Sequence, residues 1–290
     1  LTLYRLIKFY KNPSFLNASL VGISFGLSLA TKISAVPLLI AISLAIFVDF
    51  FLIFIKAPHK FKSWFPHVPN LGKRLATEGF IILFFAFLAF LISEPYALID
   101  YKEFVRQNLL QSQMTHNPYI FPYTLQYVGK IPYLYEVKNL LWGLGPFIFL
   151  FSLLGLARLI INLKSLPKTK RAEGLIILTF FFLYFIVVGR FAVGWMRYML
   201  PLYPLFAIFA GIFITGIYSK IRELNFTKSF IFYILFFILV MIWPVSFVSI
   251  YANENTRITA SKWINEHIPS GNSIAVEHWD DRLPMQTSNA

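Results

Sequence analysis

From Phe15 to Ile55 the sequence runs for 41 residues on largely apolar side chains, broken by only two charges, Lys32 near the middle and Asp49 near the end. As a single helix this stretch would be about 62 Å long at ~1.5 Å per residue, close to twice the roughly 30 Å of bilayer hydrocarbon. A helical hairpin turning at Thr31-Lys32 fits instead. Similar apolar runs recur down the chain, and the reading is seven spans, at about 15–30, 33–55, 79–94, 139–161, 174–190, 199–219 and 229–250. All are expected to be helical, because lipid offers backbone groups no hydrogen-bond partners.

The composition leaves little else. Hydrophobic residues make up 58% of the 290 and charged residues 13%, about half the ~25% charge of soluble domains. The 33 Phe spread along the chain are too many for one water-surrounded core. Soluble globular enzymes, disordered chains, collagen-like proteins and disulfide-rich secreted domains are excluded. With no cysteine, thiol catalysis, Cys-ligated zinc and disulfides are excluded too.

The formal net charge is +13, and here it marks a side of the membrane rather than a nucleic-acid partner. When the connections alternate, one side collects Arg5, Lys8 and Lys11, then the basic residues of segments 56–74, 158–171 and 220–228, against only Glu78, Glu173 and Glu223. The other side holds the remaining ten basic residues and nine acids. Positive-inside orientation makes the basic loops cytoplasmic and the C-terminal segment extracytoplasmic, in a multi-pass cell-membrane protein. In the first span Gly22, Gly26 and Ala30 repeat every four residues, a small-residue stripe that lets a neighbouring helix approach closely.

The chemistry is expected on the outer side. The segment 95–138 carries Tyr96, Tyr101, Tyr119, Tyr123, Tyr127, Tyr133 and Tyr135 among Pro118, Pro122 and Pro132. Such rings form either an interfacial belt or a groove that stacks on a sugar or lipid headgroup, with Tyr96, Tyr119 and His116 as its contacts. The next outer turn is short, Arg190-Phe191-Ala192-Val193-Gly194-Trp195-Met196-Arg197-Tyr198. Guanidiniums beside hydrocarbon either snorkel to headgroups or meet a phosphate with their planar fork. Arg190 and Arg197, with Lys32 at the turn of the hairpin, are therefore the candidate phosphate ligands. Glu94, at the outer end of its span, either pairs with these cations or acts as a base. No His, Asp and Glu spacing suggests a metal site, and no cofactor is expected.

The tail differs. Ala260, Trp263, Ile264, His267 and Ile268 keep helical spacing, Thr256 is the predicted cap, and Pro269-Ser270-Gly271 ends the helix. Alternation over 273–278 predicts a strand and Asp280-Asp281 a loop, together the start of a soluble α/β domain over 251–290. The Asp pair reads either as acid–base groups or as a solvated turn. Beginning at Leu1 and stopping just after this turn, the chain is expected to be a piece of a longer protein.

Several segments resemble one family. Gly26-Leu27-Ser28-Leu29-Ala30-Thr31-Lys32, Glu94-Pro95-Tyr96-Ala97-Leu98-Ile99-Asp100, Arg197-Tyr198-Met199-Leu200-Pro201-Leu202-Tyr203-Pro204 and the stretch from Thr256-Arg257 to Pro269-Ser270-Gly271 are similar, in this order, to motifs of the polyprenyl-phosphate-dependent glycosyltransferases of the GT-C class. These are relatives of protein O-mannosyltransferases and of the aminoarabinose transferase. The resemblance implies a GT-C-like helical bundle with its active site outside. A sugar carried on polyprenyl phosphate is transferred there to a glycan, lipid or protein acceptor. It casts Arg190, Arg197 and Lys32 as ligands of the donor phosphate and Tyr198 as a sugar or lipid contact. The family's catalytic carboxylate lies in its first outer loop, which is expected to precede this chain, so no position here inherits that role. Glu94 and Asp100 are the fallback carboxylates. The alternatives are a transporter or flippase for lipid-linked sugar and a noncatalytic lipid-binding subunit. Only Asp49 lies well inside a span, which disfavours transport.

Overall fold

The computed structural model describes residues 1–56, 68–224, 226–275 and 283–285, and the described residues form helices and connecting turns with no strand. Helix α1 (Thr2–Lys11) is followed by α2 (Phe15–Thr31) and α3 (Leu38–Lys56). Helix α4 (Val68–Arg74) runs through a π-helical turn, Leu75–Gly79, into α5 (Phe80–Ser93). Then come α6 (Tyr101–His116), α7 (Leu134–Leu144), α8 (Pro146–Asn162), α9 (Lys168–Gly189), α10 (Tyr203–Leu224), α11 (Phe226–Val248) and α12 (Thr256–His267).

Among the described residues, six helical stretches are long and apolar enough to cross a membrane, within 33–52, 72–93, 146–165, 168–189, 196–221 and 227–267. These are the elements of a multi-pass membrane protein. Seven were expected. The difference is α2, whose apolar helix has 17 residues, about 25 Å at ~1.5 Å per residue.

Helix α2 starts at Ser14, whose side chain accepts from the Asn17 amide at 3.3 Å, and ends where Lys32 turns extended at φ −162°. The hairpin is not closed on itself. Helix α1 packs against both α2 and α3, α2 lies mainly on α5, and α3 lies on α9. Thr2 donates to the Ser24 carbonyl at 3.0 Å, so α1 runs back along α2. The small-residue stripe does what its spacing predicts. A Cβ on Gly22 would strike the Ile82 carbonyl, and one on Gly26 the Ala86 carbonyl, so α2 and α5 meet backbone to backbone. Both contacts advance four residues in the same direction, so the two helices run parallel.

A second tight seam joins α8 to α10. Ser152 donates to the Phe206 carbonyl at 2.7 Å, and Gly155 has no room for a Cβ against the Phe209 backbone. Phe181 meets Phe206 and Phe209 edge-on, at 5.4 and 5.2 Å between ring centroids, tying α9 to α10. At the basic end Lys168 pairs with Asp49 at 2.8 Å and Lys11 with Glu173 at 2.9 Å. These pairs join α9 to α3 and to α1. Helix α11 leaves Phe230, Phe237 and Val245 exposed, as a lipid-facing helix would.

Three readings need correction. The expected span 139–161 is split. Gly145, at φ +79°, ends α7, and Pro146 opens α8 as its first residue, a position proline favours because it lacks an amide proton to satisfy. The tail forms its helix, with Asn255 rather than Thr256 capping it by accepting from the Arg257 amide at 2.9 Å. Among the described residues no soluble α/β domain is seen: residues 273–275 are not in a strand. The rest of the predicted strand and Asp280-Asp281 lie outside the described residues.

Replacing Gly26 by Val should wedge α2 from α5 and destabilise the bundle by about 1–3 kcal/mol. Gly211→Ala, at a site with nothing within 4 Å, should be neutral. Thermal unfolding in detergent compares the two, and equal midpoints would contradict the close seam.

Candidate functional site

Because α2 and α5 run parallel in fixed register, their ends arrive together. Lys32 follows α2 and Glu94 follows α5, and both line a cavity of about 580 Å³. Its remaining walls are the turn 29–34, one face of α6, and Phe191, Arg197 and Tyr198. Helix α6 begins at Asp100, whose carboxylate accepts from the Glu103 amide at 3.3 Å as its N-cap. Phe104, Asn108, Gln111, Ser112 and Thr115 turn one helical face to the cavity.

Two cations define the electrostatics. Lys32 Nζ lies 4.2 Å from the Tyr198 ring centroid, a cation–π contact. Arg197 lies over the Trp195 ring, with Cζ 5.1 Å from its centroid. Neither cation forms an ion pair among the described residues. Burial, and then the positive charge of Arg197, pull the Lys32 ammonium below the usual lysine range. An anion between the two would reverse the second effect. Tyr198 is buried and fixed from behind, where the Tyr184 hydroxyl donates to its carbonyl at 2.8 Å. Phe191 meets it edge-on at 6.0 Å. Behind Trp195, burial pushes the Tyr127 phenol up to about 12, so it remains neutral.

His116 sits at the far end of α6 with Nδ1 2.7 Å from the Ser112 carbonyl. A carbonyl only accepts, so Nδ1 carries a proton, and in the neutral ring Nε2 keeps a lone pair. Glu94 is half-buried and makes no side-chain hydrogen bond or ion pair among the described residues.

Five of the expected site residues thus converge: Lys32, Glu94, His116, Arg197 and Tyr198. Arg190 is exposed at the end of α9 and does not line the cavity. Tyr96 and Tyr119 are exposed outside it, and Asp100 is occupied in capping. The cavity face of α6 was legible in principle, since positions 104, 108, 111, 112 and 115 keep helical spacing, but the rings of 95–138 are the stronger signal in that segment. Also unanticipated was a buried ion pair, Lys130 with Glu136 at 2.8 Å, under the turn that bears Arg197. Among the described residues no three His, Asp or Glu gather as a metal site. Chemically the cavity offers unpaired positive charge, neutral hydrogen-bonding groups and a carboxylate, which suits an anionic, hydroxylated ligand at a bundle end.

Comparison with known protein families, with curated protein sequences and with solved structures returned no match.

An anion that enters between Lys32 and Arg197 should stabilise the fold by mass action. Adding pyrophosphate should raise the thermal midpoint progressively in the parent chain and far less in Lys32→Gln or Arg197→Gln. Equal rises in all three would place the anion elsewhere.

Proposed function

We propose that this chain belongs to a membrane glycosyltransferase that takes a sugar from a polyprenyl-phosphate donor, with the cavity holding the donor's phosphate. The observation that carries this reading is the convergence of Lys32 and Arg197 in one cavity without a carboxylate paired to either. The motif resemblance and the charge asymmetry of the loops support it. On this reading α2 is a seventh span with Lys32 in the turn beyond its outer end, the cavity opens to the outer side, and the basic end faces the cytoplasm.

The reaction breaks the bond between the anomeric carbon and the phosphate oxygen and forms one to an acceptor oxygen. Negative charge grows on the departing phosphate, where Lys32 and Arg197 stabilise it more in the transition state than in the bound donor. The acceptor must lose a proton. Within this chain Glu94 is the cavity carboxylate available to take it, and His116 Nε2 is the second acceptor. The amides and hydroxyl of Asn108, Gln111 and Ser112 face the sugar. The isoprenoid leaves between the helices toward lipid.

Reconstituted in liposomes with a polyprenyl-phosphate-linked sugar, the full-length protein should transfer sugar and release polyprenyl phosphate. Arg197→Ala should lower kcat by roughly 10²–10³, as loss of one transition-state donor does, with helicity unchanged. Flux of the donor without transfer would contradict the reading. The pH dependence has a definite sign. Lys32 binds phosphate as the ammonium, and its lowered pKa in the empty cavity means that affinity falls as pH rises through a value below the ordinary lysine pKa of about 10.4. Donor binding measured against pH should lose this limb in Lys32→Gln, while Arg197 stays charged throughout.

A further inference from the structure

The turn that carries Arg197 rests on a device the reaction itself does not use. Lys130 Nζ and Glu136 Oε1 are 2.8 Å apart, and their side chains are 2% and 0% exposed. Asn139, also buried, spends both hydrogens of its amide nitrogen here, donating to Glu136 Oε2 at 3.1 Å and to the Gly194 carbonyl at 3.0 Å. A Cβ on Gly194 would run into Glu136 Oε1, Lys130 Nζ and the Tyr135 ring. The segment is therefore pressed directly onto the pair. From there the contacts lead to the cavity. Tyr135 meets Tyr127 edge-on at 5.8 Å, Tyr127 meets Trp195 at 5.3 Å, and Arg197 lies over Trp195. The other side of the turn is tied to α6 by the Ala192 amide, which donates to the Thr115 carbonyl at 2.7 Å.

A buried ion pair is a poor means of stabilising a fold, because desolvation of both charges offsets most of their attraction. Its use is directional. It holds the groups around it in one geometry and penalises others, since any displacement that parts the charges leaves them buried and unpaired.

We propose that the Lys130–Glu136 pair, acting through Asn139, positions the Gly194–Arg197 segment and so sets where the Arg197 guanidinium meets its anion. These three are positioning residues: none lines the cavity. The inference rests on the reading of Arg197 as a phosphate ligand, and the test separates the two.

The chain has no cysteine, so Met196→Cys, at an exposed position next to Arg197, accepts a single nitroxide label. Phe237→Cys on lipid-facing α11 serves as the control. In the full chain in nanodiscs, Asn139→Ala and Glu136→Gln should narrow the spectrum of the label at 196 and leave that at 237 unchanged. The same two substitutions in the unlabelled protein should raise the Kd for farnesyl phosphate about tenfold, the scale of one lost hydrogen bond to a charged group or a well-placed partner. Asn139→Ala leaves both charges paired, so it carries the test if Glu136→Gln fails to fold. An unchanged spectrum at 196 overturns the proposal. So does a mobilised label with farnesyl phosphate binding intact while Arg197→Ala weakens it. If Arg197→Ala itself leaves binding unchanged, the phosphate reading fails, and the pair is structural only.

Discussion

The backbone contact between α2 and α5 is the constraint on which the candidate site depends. Gly22 and Gly26 let α2 approach until the carbonyls of Ile82 and Ala86 occupy the space where side chains would stand. Within lipid no hydrophobic force drives helices together, so such close packing supplies the attraction. It also fixes register. With the helices parallel and locked at two successive turns, Lys32 and Glu94 emerge at the same level, one from each helix end. A lysine and a glutamate about sixty residues apart thereby face one cavity.

The opposite wall comes from the other half of the bundle. The α8–α10 seam and the rings of Phe181, Phe206 and Phe209 set α9 and α10, and the turn between them presents Arg197 and Tyr198. Helix α6 closes the space between the halves with a polar face. Neither cation is paired: Glu94 shares their cavity without an ion pair to either, and three other acids are occupied elsewhere. Asp100 caps α6, Glu103 lies on its exposed surface with Arg106, and Glu136 is consumed by Lys130. Charge that the fold leaves uncompensated at one place, while pairing it elsewhere, is the physical ground for expecting an anion there.

Much of this was legible in the sequence. The length of the apolar stretch from Phe15, with Lys32 in its middle, forces a turn near that lysine, and α2 ends at Thr31. The four-residue repeat of glycines marks a face that is used for packing. What escaped has physical reasons. Gly145-Pro146 was a visible break, yet the uninterrupted apolar character around it masked the change from α7 to α8. The two arginines beside the fifth span read as one unit, but they belong to different elements: Arg190 is exposed at the end of α9 outside the cavity, and Arg197, on the following short helix, lines it. The partner of Arg197 comes instead from Lys32, a juxtaposition that only tertiary packing creates. The Lys130–Glu136 pair reads locally as ordinary loop charge, and its burial depends on Gly194, far along the chain. Periodicity carried the tail helix, but alternation over a few residues did not make a strand of 273–275.

The most direct test of the account is where a donor-like lipid lies. A polyprenyl phosphate bearing a photoreactive group next to its phosphate, irradiated with the protein in nanodiscs and mapped by peptide sequencing, should label residues 29–34, 104–116 and 191–198, with farnesyl phosphate competing the label away. Labelling confined to α11 and other lipid-facing surfaces, indifferent to the competitor, would contradict it.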